Sequence, residues 1–197
     1  MVSWLIAGLG NPDPEYALSP HNLGFMVIDL VADQCKVKVK RKDSGALVGQ
    51  ALLGDHAVLL AKPQTYMNLS GHAVAPLLQK NELGPGNLIV VYDDHNLPWG
   101  SLRIRPSGSA GGHHGMESVI ASIGTDGFIR VRLGINPGAA RAEVEYLLKP
   151  LRRGQLKELE DFLAYAAQAV TSIVSEGAEK AMTRFNRRAP GLKTEEE

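Results

Sequence analysis

The chain has 197 residues, 44% hydrophobic and 21% charged, which is enough for one domain and excludes the low hydrophobicity of disordered chains. Lysine plus arginine equals aspartate plus glutamate at 21 each, so a strongly basic nucleic-acid-binding protein is excluded and any such site must be local. The single cysteine excludes an internal disulfide, and the lack of a signal peptide or of roughly 20 consecutive apolar residues predicts a cytoplasmic protein without a membrane partner.

Strands and helices alternate in the first half of the chain. The apolar run 2–9 stops at a Gly-Asn-Pro turn, as a buried strand does before a loop. From Asn22 the apolar residues recur at helical spacing, directly after Pro20. A Gly-Asp pair between two apolar runs indicates a hairpin. The elements predicted here are strands at 2–9, 46–53 and 56–61, a helix that begins at Asn22, and a helix at 70–80.

The second half of the chain continues the alternation and then becomes helical. The predicted strands are 88–92, 102–105 and 129–133, and the predicted helices are 116–123, 142–148 and 155–174. We see no repeat and no linker. We therefore predict a single α/β domain over 1–186, with a mixed, largely parallel sheet flanked by helices. Residues 187–197 are predicted to form a disordered tail.

Polar residues collect where the predicted strands end. Asn11 and Asp93 each come directly after a strand, and 64–68 follows another by a few residues. Ligands of open α/β sheets bind beyond the carboxyl ends of the strands. We therefore expect the functional site at this edge of the sheet.

Two glycine-rich segments fail the tests for nucleotide cofactors. Residues 8–13 resemble a dinucleotide fingerprint, but Asp13 replaces its third glycine, and the prolines on both sides of Asp13 prevent a helix from opening there. Residues 107–115 lack the Gly-Lys-Ser/Thr ending of a P-loop. A Gly-x-Ser-x-Gly elbow is also absent, so no serine nucleophile is indicated. We predict no cofactor.

His21 is the predicted general base. It lies at the expected first turn of a helix, where the positive end of the helix dipole disfavours a charged imidazolium. A histidine that is neutral near pH 7 can accept a proton, although it can also merely cap its helix. Asp93 can supply the carboxylate that orients the ring. Since no serine or cysteine nucleophile is evident, the base would act on water.

A metal site is the alternative for activating water. Its possible ligands are Asp93, Asp94, His95, His113 and His114. Neighbouring residues on a strand point to opposite faces, so only part of this set can converge. No His-Glu-x-x-His motif is present, and we predict that the protein needs no metal.

Two pairs of arginines lie two residues apart on predicted strands. Each pair, 103 with 105 and 130 with 132, would project from one face of its strand and could bind phosphates. A second basic stretch spans 36–42. A solvated sheet face is the plainer explanation for either pair alone, but both pairs in a neutral chain favour nucleic acid.

Taken together, these segments resemble the bacterial-type peptidyl-tRNA hydrolase family over about residues 1–185. The matching stretches are Gly8-Leu-Gly-Asn-Pro12, Pro20-His-Asn-Leu-Gly-Phe25, Lys62-Pro-Gln-Thr-Tyr-Met-Asn-Leu-Ser-Gly71, Val91-Tyr-Asp-Asp94, Gly111-Gly-His-His-Gly115 and Arg130-Val-Arg-Leu-Gly-Ile135. The resemblance implies a metal-independent hydrolase that cuts the ester between peptide and tRNA and acts as a monomer.

The resemblance also assigns roles to single residues. His21 matches the general base and Asp93 its carboxylate, while Arg105 and Arg132 match positions that bind tRNA phosphate. Residues 142–148 resemble a mobile lid. The implied substrate-binding residues are Asn11, Tyr16, Tyr66, Met67, Asn68, His113 and His114.

The chain departs from the family pattern at several positions. Asp13 stands where glycine is usual, Ser19-Pro20 replaces Thr-Arg, and His114 replaces an asparagine. His95-Asn96 stands where a hydrophobic residue and an aspartate are common. The base and its carboxylate are intact, so these changes bear on rate and peptide contacts. A catalytically weak relative that serves as an RNA-binding factor is the alternative.

Overall fold

A seven-stranded sheet organises the computed structural model, which describes residues 1–138 and 144–192. The strands are β1 (Trp4–Gly8), β2 (Arg41–Asp43), β3 (Ala46–Leu53), β4 (His56–Pro63), β5 (Leu88–Pro98), β6 (Leu102–Arg105) and β7 (Ile129–Asn136). Their order is β2-β3-β4-β1-β5-β7-β6. The central strands β4, β1, β5 and β7 are parallel, and the pairings at both edges are antiparallel. The predicted mixed α/β sheet is therefore confirmed.

Helices cover both faces of this sheet. They are α1 (Leu23–Gln34), α2 (Gly71–Lys80), α3 (His114–Ile123), α4 (Val144–Leu148), α5 (Arg153–Glu176) and α6 (Ala178–Phe185). Apolar residues of α1, α5 and α6 fill the core on one face, and those of α2 and α3 fill it on the other. Among the described residues, no helix is long and apolar enough to cross a membrane.

Close backbone contacts fix the start of α1 against the carboxyl ends of β1 and β5. A Cβ at Gly24 would come within 2.4 Å of the Val91 oxygen and 2.5 Å of the Leu9 backbone. A Cβ at Gly8 would come within 2.2 Å of the Gly24 oxygen. Only glycine permits this approach. The turn that precedes α1, which carries His21, is thereby held beside β5.

Most predicted elements are present, and the differences have physical causes. The fifth strand is longer than predicted, because Asp93 and Asp94 continue its pairing with Leu133 and Gly134 of β7. Strand β2 and helix α6 are not predicted from the sequence. Only part of the predicted helix 142–148 is described, as α4, because residues 142 and 143 lie outside the described residues.

The domain extends beyond the predicted boundary at residue 186. Leu102 N–H donates to the Arg187 oxygen, and Ala189 N–H donates to the Gly100 oxygen. Ala189 and Leu192 are buried. The prediction of a disordered tail is wrong for 187–192, because this segment satisfies backbone groups at the edge of the sheet. Residues 193–197 lie outside the described residues.

Candidate active site

His21 and Asp93 meet at the carboxyl edge of the central strands. His21 Nδ1 lies 2.8 Å from each carboxylate oxygen of Asp93. Since an ionised carboxylate only accepts hydrogen bonds, Nδ1 carries the proton and donates it. Nε2 of the neutral ring is then the acceptor. The His21 side chain is 12% exposed and that of Asp93 is 2% exposed, so the ring borders solvent while its carboxylate is shielded.

His113 is a second partner of the same carboxylate. Its Nε2 lies 3.0 Å from Asp93 Oδ1, and its ring lies 5.0 Å from the His21 ring, centroid to centroid. His113 is also the N-cap of α3, where Nδ1 accepts the Met116 N–H at 3.2 Å. Because Nδ1 accepts, the neutral ring carries its proton on Nε2 and donates it to Asp93. Both ring nitrogens of this buried histidine are therefore engaged.

The contact between His21 and Asp93 changes the pKa of both residues. Burial alone lowers the pKa of His21, but the charge and hydrogen bond of Asp93 outweigh it, and the pKa of His21 is raised. Burial alone would raise the pKa of Asp93, because burial disfavours the charged form of this group too. The charges and hydrogen bonds of His21 and His113 outweigh burial and hold the pKa of Asp93 well below its ordinary value. The expectation of a depressed pKa for His21 is wrong in direction, because the charge and the hydrogen bond of Asp93 raise it.

The same cluster contains the donor atoms that a metal ion requires. His21, Asp93 and His113 each offer one ligand atom, all within 4.8 Å of one another. The other residues predicted for a metal site face elsewhere: Asp94 pairs with Arg132, and His114 pairs with Glu117. Within the described residues, the predicted metal ligands Asp93 and His113 belong to this set and Asp94, His95 and His114 do not, while its third member is His21, the predicted base.

Asn11 follows β1 and is held by a residue that the sequence analysis did not single out. Its backbone N–H donates to Asn22 Oδ1 at 2.7 Å, and Asn22 Nδ2 donates to the backbone oxygen of Asn11 at 2.9 Å. The Asn11 side-chain oxygen accepts the Asp13 N–H at 3.1 Å, and among the described residues its amide nitrogen has no hydrogen-bond partner. Asn22 is buried directly after His21, so one short turn positions both the base and the loop of Asn11.

Met67 lies next to His113 and begins the 3-10 turn Met67–Leu69. A Cβ at Gly115 would come within 2.6 Å of Met67 Sδ and 3.0 Å of His113 Cε1, so both side chains pack against this glycine. Tyr66 and Asn68 flank Met67 and are exposed. Within the described part of the chain the Asn68 amide has no hydrogen-bond partner.

Two further residues of the predicted site, Tyr16 and His114, do not join this cluster within the described part of the chain. Tyr16 is half-buried in the turn Pro14–Tyr16, and its backbone carbonyl oxygen accepts the Ser19 N–H at the start of the next turn. His114, the first residue of α3, is exposed, and its Nδ1 lies 3.1 Å from Glu117 Oε2. His114 thus pairs with its own helix, whereas its neighbour in the chain, His113, is buried.

The four arginines of the sequence analysis share one face of β6 and β7 but differ in their surroundings. Arg105 is exposed, and Arg132 Nε donates to Asp94 Oδ2 at 2.6 Å. Arg130 is buried and donates to the oxygens of Ser109 and Asp126. The prediction of a phosphate-binding pair is therefore wrong for Arg130, which anchors the glycine-rich loop.

Comparison with known proteins decides the family. A family model described as peptidyl-tRNA hydrolase matches residues 5–194. The chain belongs to the peptidyl-tRNA hydrolase family. It is similar to the peptidyl-tRNA hydrolase of Solibacter usitatus, with 56% identity over 98% of this chain and 99% of the relative. The relative from Koribacter versatilis is 44% identical over 93% of this chain and 92% of its own length.

Solved structures agree with the assignment to the peptidyl-tRNA hydrolases. The crystal structure of peptidyl-tRNA hydrolase from Acinetobacter baumannii matches with a TM-score of 0.88 and 29% identity. The match covers 97% of this chain and 99% of that one. The prediction of an enzyme of this family is confirmed.

The sequence analysis missed the role of Asn22 in this candidate site and considered Asp94 only as a metal ligand. Asn22 offered no distinctive signal, because it is the N-cap of α1 and asparagine is common at that position of a helix. For Asp94, the alternation of side chains along a strand predicts a position on the face opposite Asp93. Its partner Arg132 could not be identified without the register of β5 and β7.

Proposed function

We propose that the chain hydrolyses the ester that joins a peptide to the 3′ ribose of its tRNA, with His21 as the general base. The observation that carries this proposal is the hydrogen bond from His21 Nδ1 to the buried carboxylate of Asp93. That bond leaves Nε2 to accept a proton and lets Asp93 stabilise the imidazolium that results.

The reaction follows from this arrangement. His21 Nε2 takes a proton from water as the water oxygen attacks the ester carbonyl carbon. The carbonyl oxygen becomes an oxyanion, and the tetrahedral intermediate then breaks its bond to the 3′ oxygen. The 3′ oxygen leaves with the proton that His21 carried, so the base is regenerated and a free peptide acid and tRNA result.

Side-chain amides are suited to stabilise the developing charge. The side-chain oxygen of Asn11 accepts the Asp13 N–H. This hydrogen bond orients the amide nitrogen of Asn11 as a donor. The exposed amide of Asn68 beside Met67 is a second candidate. A preorganised donor of this kind typically contributes about 10²–10³-fold in rate. We infer that these amides, with Tyr16, Tyr66 and Met67, bind the peptide and the 3′ end.

His113 takes a different role from the substrate contact predicted for it. Its two ring nitrogens are used by Asp93 and by Met116 N–H, so none is left for the substrate. We propose that His113 positions the Asp93 carboxylate. Arg105 and Arg132 are proposed to bind tRNA phosphate, and His114 is proposed to border the peptide.

The test is the release of an N-blocked aminoacyl group from tRNA in the presence of a chelator. His21→Ala should reduce kcat by at least about 10²–10⁴-fold, the range of a general base. His56→Ala is the matched control, because His56 begins β4, which runs parallel to β1, and so lies at the end of the sheet opposite the carboxyl edge. Thermal denaturation of each variant shows that the fold is retained.

The outcomes separate the alternatives. Turnover in chelator that is lost in His21→Ala supports the proposal, whereas loss of wild-type turnover in chelator would support a metal ion in the donor set of His21, Asp93 and His113. Binding of tRNA without any release would favour the RNA-binding alternative. Family membership and the intact pair of His21 and Asp93 favour hydrolysis. The cytoplasmic location and the monomeric state stay predictions.

A further inference from the structure

We propose that Asp94 is a positioning residue that holds the Arg132 guanidinium in place for a phosphate of the tRNA. This inference rests on the proposed function, because it takes tRNA as the ligand. Asp94 would thus serve phosphate binding on one face of β5 while its neighbour Asp93 serves the base on the other.

Strand geometry separates the two neighbouring carboxylates. Successive side chains of a strand point to opposite faces of the sheet. Asp93 points toward His21, and Asp94 points toward Arg132. In the register of β5 and β7, Tyr92 pairs with Arg132 and Asp94 pairs with Gly134, so the carboxylate and the guanidinium come from adjacent strands.

Asp94 is held firmly and leaves most of Arg132 available. One carboxylate oxygen accepts the Asn96 N–H at 2.8 Å, and the other accepts Arg132 Nε at 2.6 Å. The Asp94 side chain is only 7% exposed, while that of Arg132 is 26% exposed. Within the described residues the two terminal nitrogens of Arg132 have no hydrogen-bond partner. They are the edge of the guanidinium that binds phosphate in a bidentate manner.

Arg132 and Asp94 border a cavity of about 230 Å³, which Tyr92, a ring neighbour of His113, also lines. Arg105 and the glycine-rich loop 107–111 also line it. Arg130 lines the cavity too, but its terminal nitrogens already bind the oxygens of Ser109 and Asp126. Arg105 and Arg132 are therefore the cations of this cavity that can still bind an anion.

The carboxylate has two opposing effects on phosphate binding. Its charge makes the cavity less positive, which by itself weakens the binding of an anion. Its hydrogen bond fixes the plane of a long side chain that otherwise loses rotamer freedom when it binds. Substitution of Asp94 by asparagine removes the charge and weakens the hold on Arg132. If charge dominated, tRNA affinity would rise, whereas if positioning dominates, affinity falls.

The experiment measures Asp94→Asn with full-length N-blocked aminoacyl-tRNA. We expect KM to rise about three- to tenfold while kcat changes less than about twofold, as expected for loss of binding that is equal in ground and transition states. Asp55→Asn, in the exposed turn between β3 and β4, is the control for the loss of one negative charge. The Kd for deacylated tRNA, measured across a salt series, should rise in parallel with KM.

A double-mutant cycle with Arg132→Ala completes the test. If Asp94 acts only through Arg132, Asp94→Asn should not change KM further when Arg132 is already alanine. An unchanged or lowered KM in the single variant, or an equal rise in both backgrounds, would overturn the inference. The Kd measurement needs no turnover, so failure of the proposed hydrolysis and failure of this inference give different results.

Discussion

The two faces of β5 carry neighbouring carboxylates in contrasting surroundings. Asp93 is enclosed with two histidines, whose ring nitrogens lie within 3.0 Å of its oxygens. Asp94 holds Arg132 through Nε, and Arg132 lines a cavity. The first arrangement satisfies its own polar groups and leaves Nε2 of His21 for the substrate. The second leaves charged donors free to bind an anion.

The contrast shows how one strand serves both chemistry and binding. Charges that are buried and paired are poorly screened by salt, whereas exposed charges are screened within a Debye length of about 8 Å at physiological ionic strength. Substitutions on the Asp93 face should therefore change kcat, and those on the Arg132 face should change KM in a salt-dependent way. The predictions below test that division.

The largest effect is expected for Asp93→Asn. An amide presents an N–H to His21 and stabilises the tautomer whose Nε2 carries the proton, which cannot act as a base. By analogy with other histidine–carboxylate pairs, kcat should fall by about 10²–10⁴-fold. Steady-state release of the acyl group from tRNA measures it, with Asp55→Asn as the control. A decrease of less than tenfold in a folded variant would contradict the role of Asp93.

A smaller effect is expected from pH. The pKa of His21 is raised by Asp93, and the base works only when it is neutral. As the pH falls through that pKa, log(kcat/KM) should fall with a slope of one, and the inflection should lie above the ordinary histidine value of about 6.5. In Asp93→Asn the inflection should move to lower pH, because burial without the carboxylate disfavours the charged ring. A wild-type inflection below the ordinary value would argue against the pair as the titrating group.

The smallest effect is expected for Arg105→Ala on the other face. Arg105 is exposed, so its contact with phosphate is partly screened. KM should rise about three- to tenfold at low salt, with kcat unchanged, and the slope of log affinity against log salt should decrease in magnitude by about one. Lys157→Ala, which removes an exposed charge from α5, is the control. An unchanged salt slope would remove Arg105 from the tRNA contacts.

Periodicity and turn residues predicted most of the fold. The alternation of strands and helices identified the mixed sheet, because local patterns of apolar residues report burial directly. Strand β2 was not predicted, because its exposed residues Arg41 and Lys42 show no alternation of apolar and polar side chains. The full length of β5 was not predicted, because Asp93 and Asp94 resemble the polar residues that follow the end of a strand. They continue the strand because their backbones pair with Leu133 and Gly134 of β7.

The amino-acid sequence by itself determined the family and the sheet and predicted His21 and Asp93 as the base and its carboxylate, since these depend on residue types in a fixed order. Only the tertiary structure decided the raised pKa of His21, the burial of Arg130 and the engagement of both ring nitrogens of His113. Each of these depends on contacts between residues far apart in the chain, such as His21 and Asp93 at a separation of 72 residues. Local patterns carry no information about such contacts, because strand order and register establish them.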